Sequence, residues 1–162
     1  MRQTIGGTWI LTLVILFILL FAAFIILTLN YSRNVGVKNE LINMVEKYGG
    51  INENSVELVN NYLNYSGYNA TGVCVNDGED TTGVYGASSL SNNRLEPARQ
   101  GASYYYCIKK YRGANTSNYY QVTIFYRFNL PIIGDASGFS IKGTTSNFQS
   151  DDESRYADAV GD

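Results

Sequence analysis

The stretch that decides the fold is TWILTLVILFILLFAAFIILTL, residues 8–29. It carries no charged residue, and its only hydroxyl groups belong to Thr8, Thr12 and Thr28. At about 1.5 Å per residue, a helix of this length reaches about 33 Å, enough to cross a hydrocarbon core of about 30 Å. A helix that is apolar on every face has no side suited to water, which is typical of a membrane span. The stretch therefore predicts a transmembrane helix.

The flanks of this span bear on cleavage and on orientation. A cleavable signal peptide usually has an apolar run of about 7–15 residues followed by a small-residue cleavage site. The present run is longer and no such site follows it cleanly, so an uncleaved anchor is expected.

The positive flanking charges, Arg2 on one side and Arg33, Lys38 and Lys47 on the other, slightly favour an inside location for the C-terminal part. We nevertheless expect residues 1–7 to be cytoplasmic and the rest to lie outside, because seven residues are too few to form a domain.

Helical periodicity continues beyond the span. Apolar residues recur at spacings of three and four, which indicates one apolar stripe: Val37, Leu41, Met44, Val45 and Tyr48. Gly49 and Gly50 are expected to end this helix. The apolar stripe of the helix is expected to pack on the protein's own domain rather than on a partner. A second helix is predicted over 55–65, with Asn54 as its cap and Glu57 completing a capping box.

After residue 67 the period changes to that of strands. Alternating patterns predict strands at 72–76, 102–111, 119–130 and 138–143. The short connection between the second and third makes them a hairpin, hence antiparallel. The fold class expected is α+β, in which a long N-terminal transmembrane helix continues into an amphipathic helix packed on a small antiparallel β-sheet.

The predicted organisation of the chain has four parts: 1–7 cytoplasmic, 8–29 transmembrane, 30–148 an extracellular α+β domain, and 149–162 an acidic disordered tail. Within the domain, residues 77–101 are rich in Gly, Ser, Asn, Asp and Thr and show little periodicity. A loop of that length in a small domain is usually functional, disordered or misread. Val84 and Tyr85 are the place in it where a short edge strand is expected.

Two cysteines give a structural prediction. If Val73 and Val75 face the core, Cys74 faces away from it, and the alternation around Cys107 puts that residue on the same outer side of the sheet. Two cysteines at matched positions outside the lipid predict a disulfide, as in proteins of an oxidising compartment. Two free buried thiols in a reduced protein are the alternative.

Composition excludes several classes of function. There is no histidine, so Ser-His-Asp and Cys-His triads and histidine-ligated metal sites are absent. The 12 basic and 14 acidic residues give a net charge of -2, which argues against a nucleic-acid-binding surface. No catalytic residue, cofactor, metal site or small-molecule substrate is expected, and the chain is not expected to be an enzyme. Residues 76–80 (NDGED) have calcium-type ligands but lack the full calcium-loop spacing, so a polar turn is favoured.

Aromatic side chains are the candidates for contact with a partner. Tyrosines are frequent in the predicted strands, where most are expected simply to fill the sheet. Tyr105 and Phe125 fall on the face predicted to point outward. These two rings are therefore expected to contact a partner protein.

The N-terminal GGTWILTLVILFILLFAAFIILTLNYS, its continuation NELINMVEKYGGI and the C-terminal YYQVTIFYRFNLPIIGDASGFSIKGTTSNF together resemble the type IV pilin and pseudopilin architecture. More narrowly, the chain looks like the TadE-like, pilus-assembly-associated membrane proteins of Gram-positive bacteria. The likeness covers both ends of the chain and leaves 67–101 unaccounted for. It implies a minor pilin, a pseudopilin or an accessory structural component of a pilus-like or secretion machine. The partners that it implies are the lipid bilayer, other pilin-like or assembly-machinery proteins and, through the N-terminal helix, a second copy of the chain.

The pattern departs from that family at one point. Pilins carry a glycine before the helix, where the leader is cut, and a glutamate five residues after the cut. Gly6 or Gly7 could be that glycine, but the fifth residue would then be Leu11 or Thr12. This departure argues against processing at Gly6 or Gly7 and against a role as the major filament subunit. A stand-alone, membrane-anchored adhesin or receptor module that binds through 77–101 is the alternative function.

Overall fold

The computed structural model describes residues 2–75, 81–113, 117–130 and 134–149. It contains two helices and antiparallel sheets, in agreement with the predicted α+β class. The helices are α1 (Arg2–Lys47) and α2 (Glu53–Tyr65). The strands are β1 (Gly72–Val73), β2 (Thr81–Gly86), β3 (Glu96–Pro97), β4 (Ser103–Tyr104), β5 (Tyr106–Arg112), β6 (Ser117–Leu130), β7 (Gly134–Thr144) and β8 (Phe148–Gln149).

The first helix is continuous over 46 residues, so the predicted span and its amphipathic continuation form one element. It ends as the glycine pair predicts. Gly49 has φ 70°, and its N–H donates to the carbonyl of Glu46 at 3.0 Å, while the N–H of Gly50 donates to the carbonyl of Val45 at 3.0 Å. This pair of bonds satisfies two carbonyls that the helix end would leave open.

The cap of α2 lies two residues before the predicted one. The Asn52 side chain accepts a hydrogen bond from the backbone N–H of Ser55 at 2.9 Å, and the Ser55 hydroxyl accepts from the N–H of Asn52 at 2.9 Å. The prediction of Asn54 and Glu57 as the capping pair is therefore wrong. Ser55 completes the reciprocal arrangement from the third helical position, which is where a capping box requires its second member.

The main sheet has the order β3-β2-β5-β6-β7, with β8 also paired to β6, and all its pairings are antiparallel. The predicted β5–β6 hairpin is confirmed, with Tyr106 opposite Ile124. Residues 77–101 contain β2 and β3, so the prediction of irregular structure there is wrong in part. Val84 and Tyr85 belong to β2, which lies between β3 and β5 and is an interior strand rather than an edge strand.

The main sheet has a hydrophobic core on each of its two faces. On the helix face, α1 and α2 pack on the sheet around a core that includes Leu41, Val45, Val56, Leu63, Tyr106, Ile108, Val122 and Ile124. On the far face, the small β1–β4 sheet and its neighbours enclose a second core of Ala70, Cys74, Val84, Tyr104, Cys107 and Phe125. The alternating pattern of the sequence did not predict this second core.

Candidate membrane anchor and adjoining clefts

The N-terminal half of α1 is a candidate membrane anchor. Its large apolar side chains are exposed, from Trp9 at 73% to Leu29 at 66%. Among the described residues it is the one helix long and apolar enough to cross a membrane, and none of the apolar window is buried within the protein. Apolar surface of this extent is stable where lipid rather than water covers it.

The hydroxyl groups of Thr12 and Thr28 in this segment are bonded within the helix itself. The Thr12 hydroxyl donates to the carbonyl of Thr8 at 2.9 Å, and the Thr28 hydroxyl donates to the carbonyl of Phe24 at 2.9 Å. In a hydrocarbon core an unsatisfied hydroxyl costs several kcal/mol, so such bonds four residues back are what a membrane span requires. Both threonines are thereby compatible with lipid.

The C-terminal half of α1 is held firmly by the domain. Leu41 and Val45 are buried in the helix-face core. A Cβ at Gly143 of β7 would lie 2.6 Å from the Cδ1 of Ile42, which shows how closely the side chains of the helix approach this strand. The Glu46 carboxylate accepts a hydrogen bond from the backbone N–H of Ser146 at 2.7 Å, which ties the helix to the chain just after β7. The domain and the anchor therefore share one rigid element.

A juxtamembrane cleft of about 190 Å³ lies where α1 leaves the apolar segment. We use this name for the space between α1, the turn after α2 and the end of β6, lined by Asn30, Arg33, Asn34, Val37, Ser66, Gly67, Tyr68, Asn69, Ala70, Tyr126 and Arg127. Its two charged residues, Arg33 and Arg127, are both exposed cations, and the lining contains no carboxylate. The cleft is therefore electropositive.

The predicted disulfide between Cys74 and Cys107 is present, with the Cα atoms 5.7 Å apart. Both residues lie on the far face, as expected, but they are buried, with 8% and 2% of their surface exposed. The inward orientation predicted for Val73 and Val75 is wrong, since these two are 45% and 59% exposed. The reason is that residues 72–75, which include β1, lie over the far face of the main sheet, so that Cys74 points in and the two valines point out.

Phe125 occupies the centre of this far-face core. It is 5% exposed, so the exposed position predicted for it as a partner contact is wrong. A Cβ at Gly72 would lie 2.2 Å from its ring, which shows how closely β1 covers it. Tyr105 is half-buried against the helix-face core rather than exposed on the far face. Neither ring forms the outward surface that the sequence predicted.

The predicted processing glycines and the predicted calcium-type cluster lie near or beyond the ends of the described segments. Gly6 and Gly7, the two candidate processing residues, lie within the first turns of α1. Residues 76–80, considered as a calcium-type cluster, lie outside the described residues, as do 150–162 of the acidic tail. The part of the chain that the structure describes holds no group of three or more Cys, Asp and Glu side chains arranged to bind a metal ion.

A second space, the far-face cleft, has a volume of about 570 Å³. It is lined by Val73, Cys74, Val75, Gly83, Val84, Tyr85, Pro97, Ala98 and Gln100. Its two exposed valines give it an apolar edge beside the disulfide. Sequence reasoning missed this cleft because it is formed where β2 meets β3 and the chain around β1, and neither of these two short strands was predicted to lie beside β2.

Two buried hydrogen-bonded side chains were also missed. The hydroxyl of Tyr106 donates to the Oδ1 of Asn60 at 3.0 Å, and the Nδ2 of Asn60 donates to the carbonyl of Asn92 at 2.8 Å. Burial raises the pKa of Tyr106 well above its ordinary value. An asparagine at an apolar position of the α2 stripe is the signal that could have identified this network.

In comparisons with protein-family models, with curated proteins and with solved structures, nothing matches the chain.

Proposed function

We propose that the protein is a single-pass membrane protein that acts as a minor pilin-like, pseudopilin-like or TadE-like structural component of a pilus-like assembly or secretion machine. The observation that carries the proposal is the division of α1. One uninterrupted helix has an exposed, charge-free apolar half and a second half whose stripe is buried under a sheet. Such a helix fixes the position of a folded domain relative to a membrane or to a bundle of like helices.

The exposed helix suits lateral packing in lipid. Helices in a bilayer associate by close van der Waals contact, because the surrounding lipid tails are as apolar as the helices themselves. The N-terminal half of α1 has exposed apolar side chains on all sides, so any side of it can pack against another helix. The disulfide supports an exterior location of the domain, since disulfides persist in oxidising compartments.

Orientation and anchoring can be tested in intact cells. A cysteine introduced as Glu57→Cys, on the exposed side of α2, is expected to react with a membrane-impermeant maleimide, and Gln3→Cys to react only after permeabilisation. The protein is expected to stay with the membrane during alkaline carbonate extraction. Release by carbonate, or labelling at residue 3 alone in intact cells, would contradict the proposed topology.

The structural role can be tested by photo-crosslinking in the native membrane. A photoreactive amino acid at Leu19, in the exposed apolar half of α1, is expected to crosslink to another helix-anchored protein or to a second copy. The matched control is the same probe at Glu57 on the domain. Crosslinks from residue 19 to lipid alone would contradict a role in an assembly.

A stand-alone, membrane-anchored binding module is the second candidate, and the far-face cleft favours it. Its volume and exposed valines suit an apolar side chain of a ligand. Replacing Val73 and Val75 with serine would abolish ligand binding by such a module. The same change would leave crosslinking from Leu19 intact if the assembly role is correct.

A further inference from the structure

The depth of the juxtamembrane cleft relative to the apolar segment follows from the helix geometry. Arg33 is four residues after Leu29, the last residue of the apolar run, and α1 is continuous between them. At about 1.5 Å per residue this puts Arg33 about 6 Å beyond the end of the run. The headgroup layer on each side of a bilayer is about 5–7 Å thick beyond the hydrocarbon core. Arg33 therefore lies at the depth of the lipid phosphates.

No acidic side chain is among the described residues that line the cleft. The Arg33 guanidinium makes no ion pair or hydrogen bond within the described ranges of the chain. Arg127 donates one hydrogen bond, from a terminal nitrogen to the Thr71 hydroxyl at 3.5 Å. A guanidinium has five N–H donors in a fork that matches phosphate oxygens, so both arginines keep donors for a ligand.

Neutral donors and space complete the cleft. The Asn34 side chain donates to the carbonyl of Asn30 at 2.8 Å, which uses one of the two N–H groups of its amide. Asn69 lies exposed on the opposite wall. The volume of about 190 Å³ is several times the roughly 30 Å³ that one water occupies, so a phosphate with its ester substituent fits.

We propose that the juxtamembrane cleft is a phosphate-binding site in which Arg33 and Arg127 bind the phosphate of an anionic membrane phospholipid. The inference rests on the proposed membrane anchoring, because the depth of Arg33 selects a lipid headgroup over free phosphate as the source. Arg33 comes from the anchor helix and Arg127 from the sheet, so a bound headgroup joins the two. The site would thus add a direct contact between the domain and the lipid surface to the position that the continuous helix α1 already fixes.

The test uses the full chain in detergent, with native mass spectrometry to count bound phosphatidylglycerol. The variant Arg33→Gln with Arg127→Gln is expected to bind this lipid about thirtyfold more weakly, the factor for a loss of about 1 kcal/mol per arginine near an anionic surface. The control is Arg94→Gln with Arg112→Gln, two exposed arginines outside the cleft, which is expected to bind as the wild type does. Equal unfolding midpoints establish that both variants are folded.

Equal lipid binding by the wild type and both variants would overturn the site. A second arm adds inorganic phosphate to the same samples. In one outcome the wild type binds inorganic phosphate but no lipid, and the cleft variant binds neither. That result would show that the cleft binds phosphate, and it would contradict the proposal that the phosphate belongs to a lipid. Because both arms are carried out in detergent, they give an answer even if carbonate extraction shows that the protein is not membrane-anchored.

Discussion

The hydroxyl of Tyr68 accepts a hydrogen bond from the backbone N–H of Phe125 at 2.8 Å and lies 2.5 Å from the carbonyl oxygen of the same residue. It also lies 3.1 Å from the carbonyl of Tyr105. The ladder between β5 and β6 ends at the pair Tyr106 and Ile124, one residue earlier. The tyrosine hydroxyl thus stands between the two strands where the next backbone bonds would be. It accepts from the Phe125 N–H, and the carbonyls of Phe125 and Tyr105 share its single proton.

Removing this hydroxyl should destabilise the domain. Tyr68→Phe leaves the N–H and carbonyl of Phe125 without their partner in a largely buried place, at a cost of about 1–3 kcal/mol in the free energy of unfolding. Urea unfolding of the full chain in detergent, followed by near-ultraviolet circular dichroism, measures this. Tyr65→Phe is the matched control, because Tyr65 is 95% exposed and its change should be within about 0.5 kcal/mol. Equal losses in the two variants would contradict the bridging role.

The Asn60–Tyr106 pair gives a second prediction. Asn60→Ala leaves the fully buried Tyr106 hydroxyl without its acceptor, and we expect a loss of about 1–3 kcal/mol in the free energy of unfolding. Asn61→Ala, one residue along the same helix and exposed, is the control. Combining Asn60→Ala with Tyr106→Phe should cost less than the sum of the single changes, since the second change removes the stranded hydroxyl. Strict additivity would argue against the bond.

Breaking the disulfide is the third prediction. The bridge joins residues 33 apart, and a constraint of that length stabilises by about 3–4 kcal/mol in the chain-entropy description. Replacing Cys74 and Cys107 with alanine should lower the urea midpoint accordingly, and dithiothreitol should lower it in the wild type. Dithiothreitol on the double variant is the control and should have no effect. An unchanged midpoint would show that the bridge does not stabilise the domain.

The glycine beneath Phe125 gives a fourth prediction. A Cβ at residue 72 would lie 2.2 to 2.6 Å from the Cγ, Cδ1 and Cε1 atoms of the buried Phe125 ring, so Gly72→Ala must displace β1 or Phe125. We expect a loss of about 1–3 kcal/mol, the usual cost of overpacking. Gly36→Ala is the control, because a Cβ there meets nothing within 4 Å and alanine favours the helix. A Gly72→Ala variant as stable as the wild type would show that the far-face core adjusts without strain.

Hydrophobic periodicity predicted one face of the sheet correctly and the other face wrongly. The stripe containing Leu41 and Val45, and the alternation of Val122 and Ile124, correctly identified which residues cover the helix face, because one buried face imposes its period on the sequence. The same alternation predicted that Phe125 is exposed. An alternating pattern shows that the two faces of a strand differ, but it does not show whether a second layer covers the less apolar face. The far-face cover is β1 paired to β4, which lie about thirty residues apart in the chain.

Local chemistry was predictable only within a residue or two. Asn52 and Asn54 are both good caps, and Ser55 decides between them by its position three residues after Asn52. The pairing of Cys74 with Cys107 was predictable because two cysteines allow one bridge. The juxtamembrane cleft was not, because Arg33 and Arg127 are brought together by the docking of α1 on the end of β6. That docking depends on the whole fold.

Buried tyrosines should make the domain sensitive to alkali. Burial raises the pKa values of Tyr68, Tyr106 and Tyr120 above the ordinary value of 10.0, so the folded protein keeps these phenolic protons where the unfolded chain loses them. The unfolded chain then binds fewer protons above pH 10, and the free energy of unfolding falls as pH rises, while it is unaffected by these groups below pH 10. We expect the last phenolate absorbance to appear together with loss of circular dichroism, and Tyr106→Phe to make the fall in stability with pH less steep. Complete tyrosine ionisation in a protein that stays folded would show that these rings are accessible to hydroxide.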